Sequence, residues 1–426
     1  MRIMSKWHWL FSQLTRKLWF RTCLFALLAV ISALVSIVLK PIIPASIGGV
    51  VGADAVDNIL NILASSMLAV TTFSLNIMVS AYSSATTSVT PRATRLVMED
   101  STTQNVLATF IGSFLFSLVG IIALSMGAYG EQGRVVLFVV TLAVIALIII
   151  TLLRWIQHLS LLGRVGETTS RVEDATRKAL ESRINIPYLG ANPWSSHIHL
   201  PQDALAIYPQ DIGYIQHIDM QILDDYVQSI EGELYLACQT GAFVHPGQPV
   251  ALLCSSHRNI ETEAFLRAIT ISTERSFDQD PRFGLSVLAE IASRALSPAV
   301  NDPGTAIDVI GRAVRLLAMW GDKTPQREEV IYPNIYVKPI LTADLFDDIF
   351  NPVARDGAAL IEVQLRLVKG LLALYQINKA IFSADVHRYV LIVKALAESQ
   401  MVSQTDGDKL NEWIRQSGLL ATDKSD

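Results

Sequence analysis

Asn61, Ser65, Thr72, Asn76, Ser80 and Ser83 recur at helical spacing inside an apolar stretch of the chain. At 100° per residue they fall within about a third of a helix circumference, and small Ala69 shares the arc. All six side chains are uncharged. Their chemistry is that of hydroxyls and amides, which suits either a path for small ions or solutes or interhelical hydrogen bonds in a packed bundle. Arg92 and Arg95 follow where the stretch ends, and would bias that end of such a path toward anions.

A second polar set surrounds the string RALSPAVNDPGTA: Arg275, Asp278, Asp280, Arg282, Arg294, Ser297, Asn301 and Asp302. Together these groups could bind an ion or ligand, or clamp a neighbouring subunit. The string also has a structural explanation. Ser297-Pro298 stops one helix, and Asp302 followed by Pro303 is an N-cap with proline at the first helical position. Five of the eight histidines fall between 197 and 257, near Cys238 and Cys254, at spacings that match no standard zinc pattern. The chain has no GxxxxGK[ST] loop, GxSxG elbow, HExxH or CxxC. No catalytic residue, metal or cofactor is therefore assigned, and an enzyme is the least supported class. Acid–base or metal chemistry at Asp278, Asp280, Asn301 and Asp302 stays open.

These groups must be held by two different kinds of structure. The chain has 426 residues, 51% of them hydrophobic, with the long charge-free runs gathered in the first 160 or so. Runs at 23–39, 59–81, 106–126 and 135–153 each have roughly the 17–25 residues that cross a ~30 Å hydrocarbon layer. Arg2, Lys6, Arg16, Lys17 and Arg21 precede the first run, and Arg154, Arg164, Arg171, Arg177 and Lys178 follow the last. By the positive-inside rule both termini are cytoplasmic. A cleaved signal peptide in place of the first span is opposed by the long basic lead and by three further spans. A net charge of −5 offers no basic face for nucleic acid, and three cysteines make no disulfide framework.

The fold class is thus membrane α-helical, with four transmembrane helices, followed by an α+β cytoplasmic domain. The expected boundaries are 1–160 for the membrane domain, 161–204 for a connecting helix and loop, 205–258 for a small β subdomain and 259–426 for a mainly helical one. Residues 242–253 look like the hairpin of a biotinyl/lipoyl-type barrel sandwich, turning at Gly247, with 213–218 as its other half. No lysine stands at the tip, so the likeness is one of shape. Helices are expected at 164–183, 282–296, 305–320, 356–380 and 384–399, with a short terminal one.

Two long strings make the chain resemble a known family. ERSFDQDPRFGLSVLAEIASRALSPAVNDPGTA and FSLNIMVSAYSSATTSVTPRATRL are similar to stretches of bacterial predicted membrane proteins, domain of unknown function family 2254. The likeness extends over most of the chain. That family usually ends its second span in a compact Ser-Ser-Gln…Ser-Pro-Arg, whereas here Ser83-Ser84-Ala85-Thr86-Thr87-Ser88-Val89-Thr90-Pro91-Arg92 stands. The resemblance implies residence in a bacterial inner membrane and supplies no activity. Two functions remain in view. One is a homo-oligomeric channel or conduit, with the second span lining the path above a cytoplasmic vestibule. The other is a membrane-anchored sensor or scaffold whose cytoplasmic domain binds a ligand or partner. Membrane lipid and further copies of the chain are the expected partners.

Overall fold

The computed structural model describes residues 53–98, 100–126, 130–195, 204–257, 262–322 and 330–420, and of the first fifty residues only Cys23, Leu27, Ile31 and Val35. The chain forms two compact units that meet in sequence at Glu167 and Thr168.

The first unit holds α1 (Ala53–Ser88), α2 (Pro91–Met98), α3 (Ser101–Ser125) and α4 (Gly130–Leu159). Three of these, α1, α3 and α4, are long and apolar enough to cross a membrane among the described residues. The expected span at 23–39 lies outside the described residues, apart from four helical, exposed positions. Helix α1 runs past both expected ends at 59 and 81. It stops where Thr90 Oγ1 accepts the backbone N–H of Ala93 and Pro91 opens α2, so the helix start is capped as the sequence chemistry requires. Asp100 caps α3 in the same way, accepting the N–H of Thr103 at 2.8 Å.

Helix α1 packs along α3. Val56 and Leu60 meet Phe116 and Leu137, while Leu63 and Met67 meet Val106, Phe110, Ile148 and Trp155. The small residues of α3, Ala108, Gly112, Ser113, Ser117 and Gly120, are all buried. At Gly120 an added Cβ would lie 3.0 Å from Leu60, so close helix approach explains why small residues occupy this face.

The second unit begins along α5 (Val165–Asn185) and a tight turn, Pro187–Gly190. Then come β1 (Ala191–Pro193), β2 (Leu205–Ile207), β3 (Gly213–Ile218), α6 (Met220–Ser229), β4 (Glu233–Leu236), β5 (Phe243–Val244), β6 (Ala251–Cys254), α7 (Thr262–Leu266) and β7 (Ile269–Ser272). Helices α8 (Pro281–Ala295) and α9 (Pro303–Gly321), strand β8 (Tyr332–Val337), and α10 (Thr342–Asp356), α11 (Ile361–Ile377), α12 (Lys379–Gln400) and α13 (Gln404–Ser417) complete it. A five-stranded mixed sheet has the order β1-β8-β4-β6-β2, and a three-stranded sheet the order β5-β3-β7. One apolar core, including Ile215, Leu223, Leu234, Val244, Leu253 and Ile335, joins both sheets to α6.

This arrangement corrects three expectations. The two arms of the expected hairpin part company: β5 pairs with β3, whereas β6 pairs with β4 and β2. A strand pair reads the same in sequence whether its arms bond to each other or to separate sheets, because both arms keep the same alternation. Second, the sheets are not contained in 205–258, since β1, β7 and β8 come from outside that segment. The region after 260 is therefore not helical throughout. The runs ITIS and YPNIYV are short and β-branched or aromatic, and they gain their place by pairing with distant strands. Third, the expected helix at 356–380 starts instead at Ile361, and a separate helix, α10, precedes it. Gly357 ends α10 by donating its N–H to Val353 O.

Candidate functional site

The stripe residues occupy one side of α1. Asn61, Ser65, Thr72, Asn76, Ser80 and Ser83 are all exposed in the chain, while Val56, Leu60, Leu63, Met67, Thr71 and Ser74 on other sides are buried. Hydroxyls on the stripe bond back to their own helix: Thr72 Oγ1 donates to Leu68 O at 3.0 Å and Ser65 Oγ to Asn61 O at 3.0 Å. At one end the Asn61 amide donates to Asp57 Oδ2 at 3.0 Å. The Asn76 amide has no hydrogen-bond partner among the described residues. Exposed Leu68 and Val79 fall within the same arc, so the stripe is polar but interrupted. Arg92 and Arg95 stand on α2, beyond the break at Thr90.

The side of α1 away from the stripe carries a polar network that spacing alone did not reveal. Trp155 on α4 donates its indole N–H to Ser74 Oγ at 3.0 Å, and both side chains are buried. Trp155 stacks on His158, with ring centroids 5.8 Å apart. His158 Nε2 lies 2.9 Å from Asp100 Oδ2 and 3.2 Å from Thr103 Oγ1, and the Thr103 hydroxyl donates to Asp100 at 2.6 Å. Asp100 thus caps α3 and receives α4 at once. A tryptophan and a serine in different apolar spans give no sequence signal of their pairing. Only the helix crossing brings them together.

The second polar set does not form one cluster. At the start of α8, Asp280 accepts the N–H of Phe283 at 3.1 Å and takes Arg275 Nε and Nη2, each at 2.8 Å. Arg275 also lies over the Phe283 ring, 5.0 Å from its centroid. Asp278 is held by Ser276 Oγ at 3.1 Å, and Arg282 reaches across to Asp348 at 2.7 Å and Asp344 at 3.0 Å on α10. Burial pushes the Asp280 carboxyl up, and Arg275 pulls it back. Arg294, Ser297, Asn301 and Asp302 sit at the far end of the 15-residue α8, about 22 Å away along the helix.

At that far end the structural explanation of the motif holds. Ser297 Oγ bonds to Arg294 O at 2.7 Å, and Asn301 adopts a positive φ of 50°. Asp302 then caps α9 through the N–H and hydroxyl of Thr305, at 3.1 and 2.6 Å. Those two bonds hold its carboxyl below the usual carboxylate range.

The residue that sequence reasoning missed beside Asp280 is Arg183, in the last turn of α5. Its side chain is 6% exposed and donates to Thr240 Oγ1 at 3.3 Å, and Thr240 in turn donates to Gln279 O at 2.8 Å. Burial pushes the Arg183 guanidinium down to about 10, and Asp280 opposes the shift. Gly241, at φ +87°, lies against the Asp280 carboxylate where any Cβ would collide. Arginine in a helix of mixed polarity reads as a surface residue, so its burial depended on loop 239–241 folding over it.

Residues 15–373 match the family described as "Predicted membrane protein (DUF2254)". The chain is similar to uncharacterized proteins of Mycobacterium tuberculosis, strains CDC 1551 and H37Rv, and of Mycobacterium bovis. Each is 26% identical over 231 residues, 51% of this chain and 43% of the relative. The chain thus matches less than half the length of these curated relatives. No solved structure matches. The three membrane-length helices, the FSLNIMVSAYSS stretch on α1 and the capped turn at Asn301-Asp302 all fall inside residues 15–373, and the chain belongs to that family of predicted membrane proteins.

Proposed function

We propose that this protein is a homo-oligomeric conduit for small ions or solutes in the bacterial inner membrane, with the exposed stripe of α1 lining the path. The observation that carries this reading is the Asn76 amide, exposed and without a hydrogen-bond partner among the described residues, on a helix of membrane length. An amide facing hydrocarbon without a partner is costly, whereas copies arranged around an axis would give it water or a neighbour. The stripe is neutral throughout, so the path would pass small species with modest selectivity, and Arg92 and Arg95 would favour anions at the inner mouth. The basic flanks orient both termini and the second unit toward the cytoplasm.

A second reading, a membrane-anchored scaffold or sensor, draws on Leu68 and Val79, which are 52% and 62% exposed within the polar arc. Such residues suit contact with lipid or with another apolar helix. Liposomes carrying the purified protein separate the two readings. The conduit passes a small anion or cation, and Asn76→Leu lowers that flux by dewetting the path. Liposomes that stay tight with the parent protein leave the scaffold.

A further inference from the structure

Arg366 on α11 is exposed and has no hydrogen-bond or ion-pair partner among the described residues. Glu362, one turn before it on α11, makes no ion pair with it. The crossing of α11 over α9 decides where the guanidinium goes instead. A Cβ added at Gly370, one turn after Arg366, would lie 2.9 Å from Val314 and 3.3 Å from Ile310 of α9. That close approach of the two helices carries the Arg366 side chain onto α9 at Gly311.

Over Gly311 it meets a second guanidinium. The point where a Cβ of residue 311 would stand is 3.6 Å from Arg366 Nη2 and 3.9 Å from Arg315 Nη1. Apart from its chain neighbours and its own helix backbone, no other described atom lies within 4 Å of that point. The two nitrogens are therefore no more than about 7.5 Å apart. Arg315 is fixed from its other edge: its Nε and Nη2 donate to Glu173 Oε1 and Oε2 at 2.8 and 3.1 Å, which leaves Nη1 toward Gly311. Arg312 shares Glu173 at 2.6 Å and also pairs with Asp308 at 2.7 Å. Three guanidinia thus face two carboxylates, both already paired, and the charge left over is that of Arg366.

We propose that Arg315 and Arg366 form a binding site for a phosphoryl group, seated over Gly311. Like charges held this close repel one another, and an anion between them turns that repulsion into attraction. The planar fork of arginine matches phosphate oxygens in geometry. Two hydrogen bonds of about 2.8 Å, with the width of one oxyanion between them, span the gap. A phosphoryl group brings a charge of about −1.5 to −2 at pH 7 and three acceptor oxygens to the two guanidinia, where a carboxylate brings one charge and two oxygens. Gly311 serves as the floor, since a longer side chain there would occupy the seat itself. The phosphoryl group belongs to a soluble phosphate or to a phospholipid headgroup, which present the same oxygens. Every residue of the site lies in the second unit, and none of the argument draws on the conduit reading.

The test uses the full chain in detergent, melted with rising inorganic phosphate or dihexanoyl phosphatidic acid, each against sodium chloride and sodium acetate of equal ionic strength. One or both phosphoryl compounds should raise the melting temperature above the two controls, as a ligand of the folded state does. Arg366→Gln should weaken the fitted affinity about tenfold or more, the loss expected for a hydrogen bond to a charged group. Without ligand this variant should melt like the parent, because Arg366 holds no other described residue. Gly311→Glu sets a carboxylate of the chain itself between the arginines and should abolish the response. General stabilisation by salt is common to parent and variants, so their difference isolates the site. A response to phosphate alone assigns a soluble anion, and one to phosphatidic acid alone a headgroup; both support the site. Parent melts that rise no further than in chloride overturn it, and so does a rise that both variants keep or that acetate equals. Should Gly311→Glu fail to fold, Arg366→Gln decides the matter alone.

Discussion

Trp155 and Ser74, eighty-one residues apart, share a hydrogen bond of 3.0 Å in a part of the bundle where neither side chain meets solvent. With the packing of Val56, Leu60, Leu63 and Met67 against α3 and α4, the bond marks the covered side of α1, and Ser74 stands about 200° round the helix from Thr72 on the exposed stripe.

Removing either partner should loosen the bundle. Trp155→Phe and Ser74→Ala should each lower stability in detergent by roughly 0.5–2 kcal/mol, the range for polar contacts between apolar helices. The double variant should lose less than the sum, because the two share one interaction. Fully additive losses would show that the bond contributes nothing beyond packing.

The stripe itself is open to a chemical test. Cysteines introduced at Thr72 and Asn76 should react with water-soluble thiol reagents in membranes, while those at Thr71, which is buried, and Leu75, which is half-buried, should react far more slowly. Equal protection at all four positions would place the exposed face of α1 against lipid or another helix.

Orientation is read with reporter fusions. Fusions after Gly130 should report the periplasm, and fusions after Asp100 or at the C-terminus the cytoplasm, following the basic flanks. A periplasmic C-terminus would reverse the proposed topology and the placement of Arg92 and Arg95 at an inner mouth.

Asp302→Ala removes a cap with two bonds and should cost the second unit roughly 0.5–2 kcal/mol. The Thr305 bonds depress the Asp302 pKa in the folded state, so the contribution of the cap is complete above the unfolded value of about 3.9 and is lost as pH falls below it. Thermal melts of the parent and Asp302→Ala should therefore converge as the pH falls below about 4. A gap that persists undiminished in acid would mean that the carboxylate charge is not what caps the helix.

Asp280→Ala should be more damaging, by roughly 3 kcal/mol or more, because it leaves Arg275 and the buried Arg183 without their carboxylate and uncaps α8. Gly241→Ala should also destabilise, by roughly 1–3 kcal/mol, through its positive φ and the collision with the same carboxylate. An Asp280→Ala variant that melts like the parent would remove this group from the structural frame and reopen a ligand role for it.

Periodicity and local chemistry alone settle several features of this protein. The apolar runs at 59–81, 106–126 and 135–153 become α1, α3 and α4, because crossing hydrocarbon demands length and freedom from charge, and both are written residue by residue. The six stripe residues share a face for the same reason, since 100° per residue holds for any helix. The stop at Pro298 and the cap at Asp302-Pro303 are equally local. What only the tertiary structure decides is contact between distant segments. Spacing places Ser74 and Thr72 on opposite sides of α1 but does not say which side is covered. That follows from the packing of α1 against α3 and α4, where Trp155 meets Ser74. Spacing likewise shows 243–244 and 251–254 as strands without showing that they join different sheets, since alternation records a face and not a neighbour. Arg275 and Arg294 look equivalent in the sequence, yet one end of α8 is folded into Asp280, Thr240 and Arg183 and the other is an exposed turn. The burial of Arg183 is set by a loop nearly sixty residues away in sequence, and the free energy that holds a buried guanidinium there comes from the groups that loop brings.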